Sequence, residues 1–116
     1  MKYKNLYAGP DGLSHFRDVE VTMNDSGNNI FRSSAIDVTS MSFREMPVGF
    51  YFDWHVNPGK YFSFFIDGEY ELTASDGTKY HPKPGDVYLV EDLTGKGHTG
   101  RNLGNRPVKT LTVAVE

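Results

Sequence analysis

Residues 49–68 read Gly49-Phe50-Tyr51-Phe52-Asp53-Trp54-His55-Val56-Asn57-Pro58-Gly59-Lys60-Tyr61-Phe62-Ser63-Phe64-Phe65-Ile66-Asp67-Gly68. The stretch holds the chain's only Trp, a His and a dense set of Phe and Tyr residues in two strand-like runs. Aromatic and β-branched side chains favour the pleated backbone, whereas the Asn57-Pro58-Gly59-Lys60 cluster breaks the first run and Asp67-Gly68 stops the second. A polar stretch, Glu91-Asp92-Leu93-Thr94-Gly95-Lys96-Gly97-His98-Thr99-Gly100-Arg101-Asn102, answers it later in the chain. The two stretches are expected to meet inside one β-barrel.

Outward from this centre the pattern stays β-like. Ser14 to Met23 alternates as a strand, and Asn24-Asp25-Ser26-Gly27-Asn28-Asn29 is a loop rich in residues that tolerate turn geometry. Ile30 to Phe43, rich in Ser and Thr without a helical stripe, is expected to hold one or two strands. Asp67-Gly68 and Asp76-Gly77 lie between strand-like runs and predict tight hairpins, because Asp and Gly accept positive φ. Val87–Val90 reads as a short buried strand and Val108–Val115 as a long alternating one. No segment has helical periodicity. Short strands with closely spaced turns predict an all-β sandwich or barrel.

Composition agrees. A chain of 116 residues supports one domain spanning 1–116. Its hydrophobic fraction is only 38%, but one Trp, seven Tyr and eight Phe bury large areas per residue and make a core feasible. A net charge of −3 and the lack of a basic stripe argue against a nucleic-acid partner. No run is long enough for a membrane-spanning helix, and the first residues lack an apolar signal-peptide core, so no membrane partner is expected. With no Cys, disulfides and thiolate metal sites are excluded and a cytoplasmic location is the expectation.

The order of these motifs resembles the cupin superfamily of small jelly-roll β-barrels. The first cupin motif runs Gly, His-x-His, Glu and a closing Gly. Counted back from Gly68, its first His falls on His55, its second on Asn57 and its Glu on Tyr61. The second motif opens at Pro84-Gly85-Asp86 and carries His-x-x-x-Asn, matched by His98 and Asn102 across a longer middle than usual. The resemblance covers residues 49–102 and implies a jelly-roll barrel, a small-molecule ligand inside it and a homodimer. A homodimer would also cover an exposed sheet edge. Metal-holding cupins offer three His and one Glu. Here only His55 and His98 keep those identities, and the amide of Asn57 and the phenol of Tyr61 are weak ligands for a divalent ion.

Strand alternation puts Tyr51, Asp53 and His55 on one face, and the same parity carried past the turn adds Tyr61, Ser63 and Phe65. The motif match makes this the barrel interior and sets His98 opposite. Several readings of that polar interior stand side by side. Its groups satisfy one another by hydrogen bonds. Or His55 and His98, with Asp53 or water, hold a divalent transition metal such as Zn, Ni, Fe or Cu. Or the site works without a metal, with His55 or His98 as general base, Tyr61 as acid or oxyanion donor and Asp53 beside them, in an isomerisation, cyclisation or elimination. A non-catalytic binding or sensor domain is the alternative from another class. Tyr51, Trp54, Asn57, Ser63 and Phe65 are the expected ligand contacts, with Arg101 and Lys96 at the mouth; Glu91 and Asp92 are expected to pair with those cations. Thr94-Gly95-Lys96-Gly97 lacks the phosphate-loop spacing, and no nucleophile-elbow signature is present. His15 and His81 are expected to be structural or exposed.

Overall fold

A computed structural model describes residues 1–116 and contains no helix. In chain order the strands are β1 (Lys2–Ala8), β2 (Ser14–Glu20), β3 (Asn24–Asp25), β4 (Phe31–Arg32), β5 (Val38–Met46), β6 (Tyr51–His55), β7 (Tyr61–Asp67), β8 (Tyr70–Ala74), β9 (Lys79–Tyr80), β10 (Val87–Glu91), β11 (His98–Asn102) and β12 (Val108–Val115). One sheet has the order β2-β1-β10-β7-β12-β5 and the other β6-β11-β8-β9, with β3-β4 a separate hairpin. Only β1 and β10 pair in parallel. The two sheets enclose a core that includes Leu6, Phe65, Leu72, Tyr88, Val90 and Val108. This is the expected all-β jelly-roll barrel. No helix is present that is long and apolar enough to cross a membrane.

The turns do different work from what their sequences suggest. Asp76-Gly77 makes the expected hairpin between β8 and β9, with Gly77 at φ +93° and the Asp76 carboxylate accepting from the Thr78 amide at 2.9 Å. Asp67-Gly68 does not. It carries the chain from β7 in one sheet to β8 in the other. Gly68, at φ +106°, lies so close to β12 that a Cβ would stand 2.9 Å from Val108 Cα, so both conformation and space require glycine. Asn57-Pro58-Gly59 makes a similar crossing: β6 and β7 lie in opposite sheets and never pair.

The strict alternation expected along β6 is broken. His55 faces His98 and Phe52 faces Gly100, so three steps on β6 match two on β11. The extra residue is a β-bulge at Asp53-Trp54, opposite Thr99. It reverses the parity of everything before it. Phe52 joins His55 facing the interior, while Tyr51, Asp53 and Trp54 are turned to the outer surface.

The six-stranded sheet leaves part of an apolar outer face uncovered. On it the register aligns Val87, Phe64, Leu111 and Phe43 in one row and Leu89, Phe62, Val113 and Met41 in the next. Phe43 is 77% exposed and Met41 60%. The expected strand content of Ile30–Phe43 resolves into the short β4 and the edge strand β5.

Candidate functional site

The barrel opens into a chamber of about 290 Å³, lined by residues from both sheets: Phe52, His55, Val56, Asn57 and Pro58 around β6, Tyr70 and Leu72 from β8, His98 from β11, and Arg44, Met46, Tyr61 and Tyr88 from the facing sheet. Phe52, Val56 and Pro58 are exposed and form its rim. Phe52 stacks on His55 at 3.7 Å between ring centroids, and His55 lies 4.4 Å from His98.

Each imidazole is fixed through its Nδ1. His55 Nδ1–H donates to the backbone carbonyl of Asp53 at 2.8 Å, a contact that the bulge supplies by bringing that carbonyl beside the ring. His98 Nδ1–H donates to Oδ2 of Asp92 at 2.6 Å, in a pair that is almost wholly buried. The other carboxylate oxygen of Asp92 accepts from the side-chain amide of Asn57 at 2.9 Å. Both Nε2 atoms are thereby left without a protein partner. The only fully buried side-chain polar atoms without a partner are the hydroxyls of Thr110 and Thr112. His98 Nε2 therefore keeps access to the chamber.

Two glycines make this geometry possible. Gly97, at φ +74°, packs against the His55 carbonyl so closely that a Cβ would collide with it. Gly100 leaves room for the hydroxyl of Tyr70. Burial holds His55 below its ordinary protonation range, with a further push from the charge His98 can carry. Burial also raises Tyr61, against the pull of the neighbouring Arg44 guanidinium. Tyr70 and Tyr88 are raised by burial as well. All three phenols therefore stay protonated and can donate.

Of the residues anticipated from sequence, His55, Asn57, Tyr61 and His98 converge on this chamber. Ser63 and Phe65 do point inward, but they are packed in the interior away from the chamber wall. Trp54, next to the inward His55, lies outside by alternation, and Tyr51 and Asp53 lie outside because of the bulge; the Asp53 carboxylate accepts from the Tyr51 hydroxyl and the Trp54 amide. Arg101 is not at the mouth. It sits on the outer face of the four-stranded sheet, where its Nε donates to Glu71 at 3.1 Å. Glu91 pairs with Arg17 rather than with the rim cations, and Asp92 is the buried partner of His98. His15 is structural, bridging Asp11 and Asp76, and half-exposed His81 bonds Glu71. Sequence reasoning missed Arg44, Phe52, Tyr70, Tyr88 and the role of Asp92. The one available signal was Asp92 six residues before a motif histidine, and it was indistinguishable from an ordinary loop charge.

The fold and site define a small jelly-roll barrel with a chamber built around two contacting imidazoles. The family model for the cupin domain matches residues 42–114, and the chain belongs to the cupin family. None of the curated proteins matches it. Among solved structures it is similar to a Thermotoga maritima protein described as a predicted oxalate decarboxylase, with 22% identity, TM-score 0.54, and 67% of this chain covering 66% of that one. It is also similar to the DMSP lyase DddQ of Ruegeria pomeroyi, with 21% identity, TM-score 0.56, and 84% of this chain covering only 46% of that one. The cupin domain of Schizosaccharomyces pombe Cnp3 matches over 99% of this chain and 88% of its own length, at 18% identity and TM-score 0.54. The chain thus spans less than half of the lyase and about two thirds of the Thermotoga protein. At these identities the likeness describes the fold.

The donor set does not fit the metal that many cupins hold. No group of three or more His, Asp or Glu side chains is placed so that it could hold a metal ion. The Asn57 amide is committed to Asp92, and the raised phenol of Tyr61 resists becoming a phenolate ligand.

Proposed function

We propose that this chain is a small-molecule enzyme of the isomerase, cyclase or lyase type, moving a proton on a partly apolar substrate held in the chamber. The observation that carries this reading is the unequal setting of two imidazoles in contact. His55 has only a carbonyl behind it and is held neutral by burial. His98 has a buried carboxylate behind it. Two touching imidazoles with different partners behind them are suited to different roles, one as base and one as acid.

In the proposed reaction, His55 Nε2 takes a proton from a substrate carbon. His98, entering the step with both ring nitrogens protonated and its Nδ1–H held by Asp92, returns a proton from its own Nε2 to the product or leaving group. The Tyr61 hydroxyl donates to oxygen charge that develops between these steps. Phe52, Leu72 and Val56 supply apolar contacts and limit water.

Deuterium exchange from D2O into a panel of small carbonyl compounds, followed by NMR, tests this even while the natural substrate is unidentified. His55→Ala and His98→Ala are each expected to abolish exchange while leaving the barrel folded, and Tyr61→Phe to slow it. Full exchange in either folded histidine variant would overturn the reading. Tight binding of panel members with no exchange in the native protein would favour a non-catalytic binding domain.

A further inference from the structure

Arg44 is the one arginine or lysine whose side chain lines the chamber. It lies on the inner face of β5, opposite Thr110 of β12. The ion pairs of the chain are made by other cations: Lys2, Lys4, Arg17, Lys79, Arg101, Arg106, Lys109 and the amino terminus, besides the histidines. The remaining unpaired cations, Arg32, Lys60, Lys83 and Lys96, do not line it. Arg44 is half-buried: its guanidinium neighbours the Tyr61 hydroxyl, its Nη2 lies 3.9 Å from Met46 Sδ, and no carboxylate pairs with it. Asp92 is not its ion-pair partner: its two oxygens accept from Asn57 and His98 instead.

A partly desolvated guanidinium without a counter-charge is costly unless a ligand supplies one. We infer that the chamber takes a small monocarboxylate, whose carboxylate docks on the Arg44 guanidinium with its apolar body against Phe52, Val56 and Leu72. This rests on the chamber being the working site and adds the class of substrate.

The surroundings favour a carboxylate over a phosphate. One planar guanidinium matches the two oxygens of a carboxylate. The chamber wall carries no lysine, second arginine or helix N-terminus to balance a doubly charged group. Tyr61 and Tyr70 line the same space, Tyr61 beside the Arg44 guanidinium, and their phenols supply further donors. A carboxylate anchored on β5 would extend the substrate towards the imidazoles on the opposite sheet.

The test is binding, so it is independent of turnover. Monocarboxylates of graded chain length and their uncharged primary amides are titrated into the protein, with the ring signals of His55 and His98 followed by NMR. The carboxylates are expected to perturb both rings and to bind about ten- to a hundred-fold more tightly than the matching amides, the worth of a charge-assisted pair. Arg44→Gln should remove that advantage and leave amide binding unchanged, and Arg44→Lys should restore part of it. Equal affinity for acid and amide in the native protein would overturn the inference whether or not the variants fold. So would tighter binding of inorganic phosphate. Loss of proton exchange with carboxylate binding intact would sink the catalytic reading alone.

Discussion

His98 and Asp92, six residues apart, form a hydrogen bond of 2.6 Å in which both side chains are almost fully buried. The loop between them, Leu93 to Gly97, folds back so that the carboxylate stands behind the ring. Asn57, from the crossing after β6, closes the other side of the carboxylate. The pair fixes which nitrogen of His98 faces the chamber, and it ties the two sequence motifs together at one point.

Asp92→Asn should keep the fold and weaken catalysis. An amide can still hydrogen-bond Nδ1, but it cannot stabilise the imidazolium and can hold the wrong tautomer. Proton exchange is expected to fall about a hundred-fold or more. Asp92→Ala, which strips a buried charge partner, should cost about 3–5 kcal/mol of stability. An Asn variant with native exchange would show that the carboxylate is only structural.

His55 is held below its ordinary value of 6.5, chiefly by burial. As base it must be neutral, so proton exchange should persist below pH 6.5 and fail only at more acidic pH. The same shift has a stability consequence. As pH falls through 6.5 the unfolded chain takes up this proton before the folded one does, and stability is lost. His15 is shifted upwards by its hydrogen bond with Asp11, so it contributes stability below 6.5 that disappears as pH rises through its folded value. Melting curves from pH 5 to 8 should therefore show opposite trends for His55→Gln and His15→Gln relative to the native chain. Parallel trends would contradict both assignments.

Glu71 sits on the outer face of the four-stranded sheet and accepts from His81 at 2.9 Å and from Lys79 and Arg101 at 3.1 Å. These partners, His81 first, lower its carboxyl from 4.5 to about 2. Its contribution is present above pH 4.5 and fades as pH falls towards 2. Because Lys79, His81 and Arg101 are half-exposed, Glu71→Gln should cost about 1–2 kcal/mol at neutral pH. The difference from native should vanish in acid. A difference that is constant with pH would point to lost packing instead.

We propose that a second copy of the chain covers the apolar outer face of β7, β12 and β5. The two apolar rows end at a rim carrying Lys109 beside Glu45 and Arg106 beside Asp67. Adjacent charges of both signs let such a face meet its own copy. Sedimentation should show a dimer whose melting temperature rises with concentration, and Phe64→Glu should give a folded monomer. A native protein that sediments as a monomer at high concentration would rule this out.

Much of the architecture was legible in local sequence. The aromatic and β-branched runs specify strands, since side-chain alternation and turn residues act over a few positions. The order of the two motifs brought His55, Asn57, Tyr61 and His98 to one chamber. What alternation could not supply was the bulge at Asp53-Trp54, because its extra residue is defined by pairing with β11, a strand more than forty residues later. That single insertion moved Tyr51 and Asp53 outside and Phe52 inside.

Arg44 and Asp92 were likewise beyond local reading. A charged residue in a strand or loop belongs to water unless distant segments enclose it, and their places are set by β12 pairing with β5 and by the crossing at Asn57. The sequence by itself determined most of the strands from Ser14 onward, where the chain turns, and the two histidines; it left Lys2–Ala8 without a strand and made a hairpin of the crossing at Asp67-Gly68. Only the tertiary structure decided which charges face the chamber, because burial is a property of segments that meet in space and not of the residues that precede and follow them.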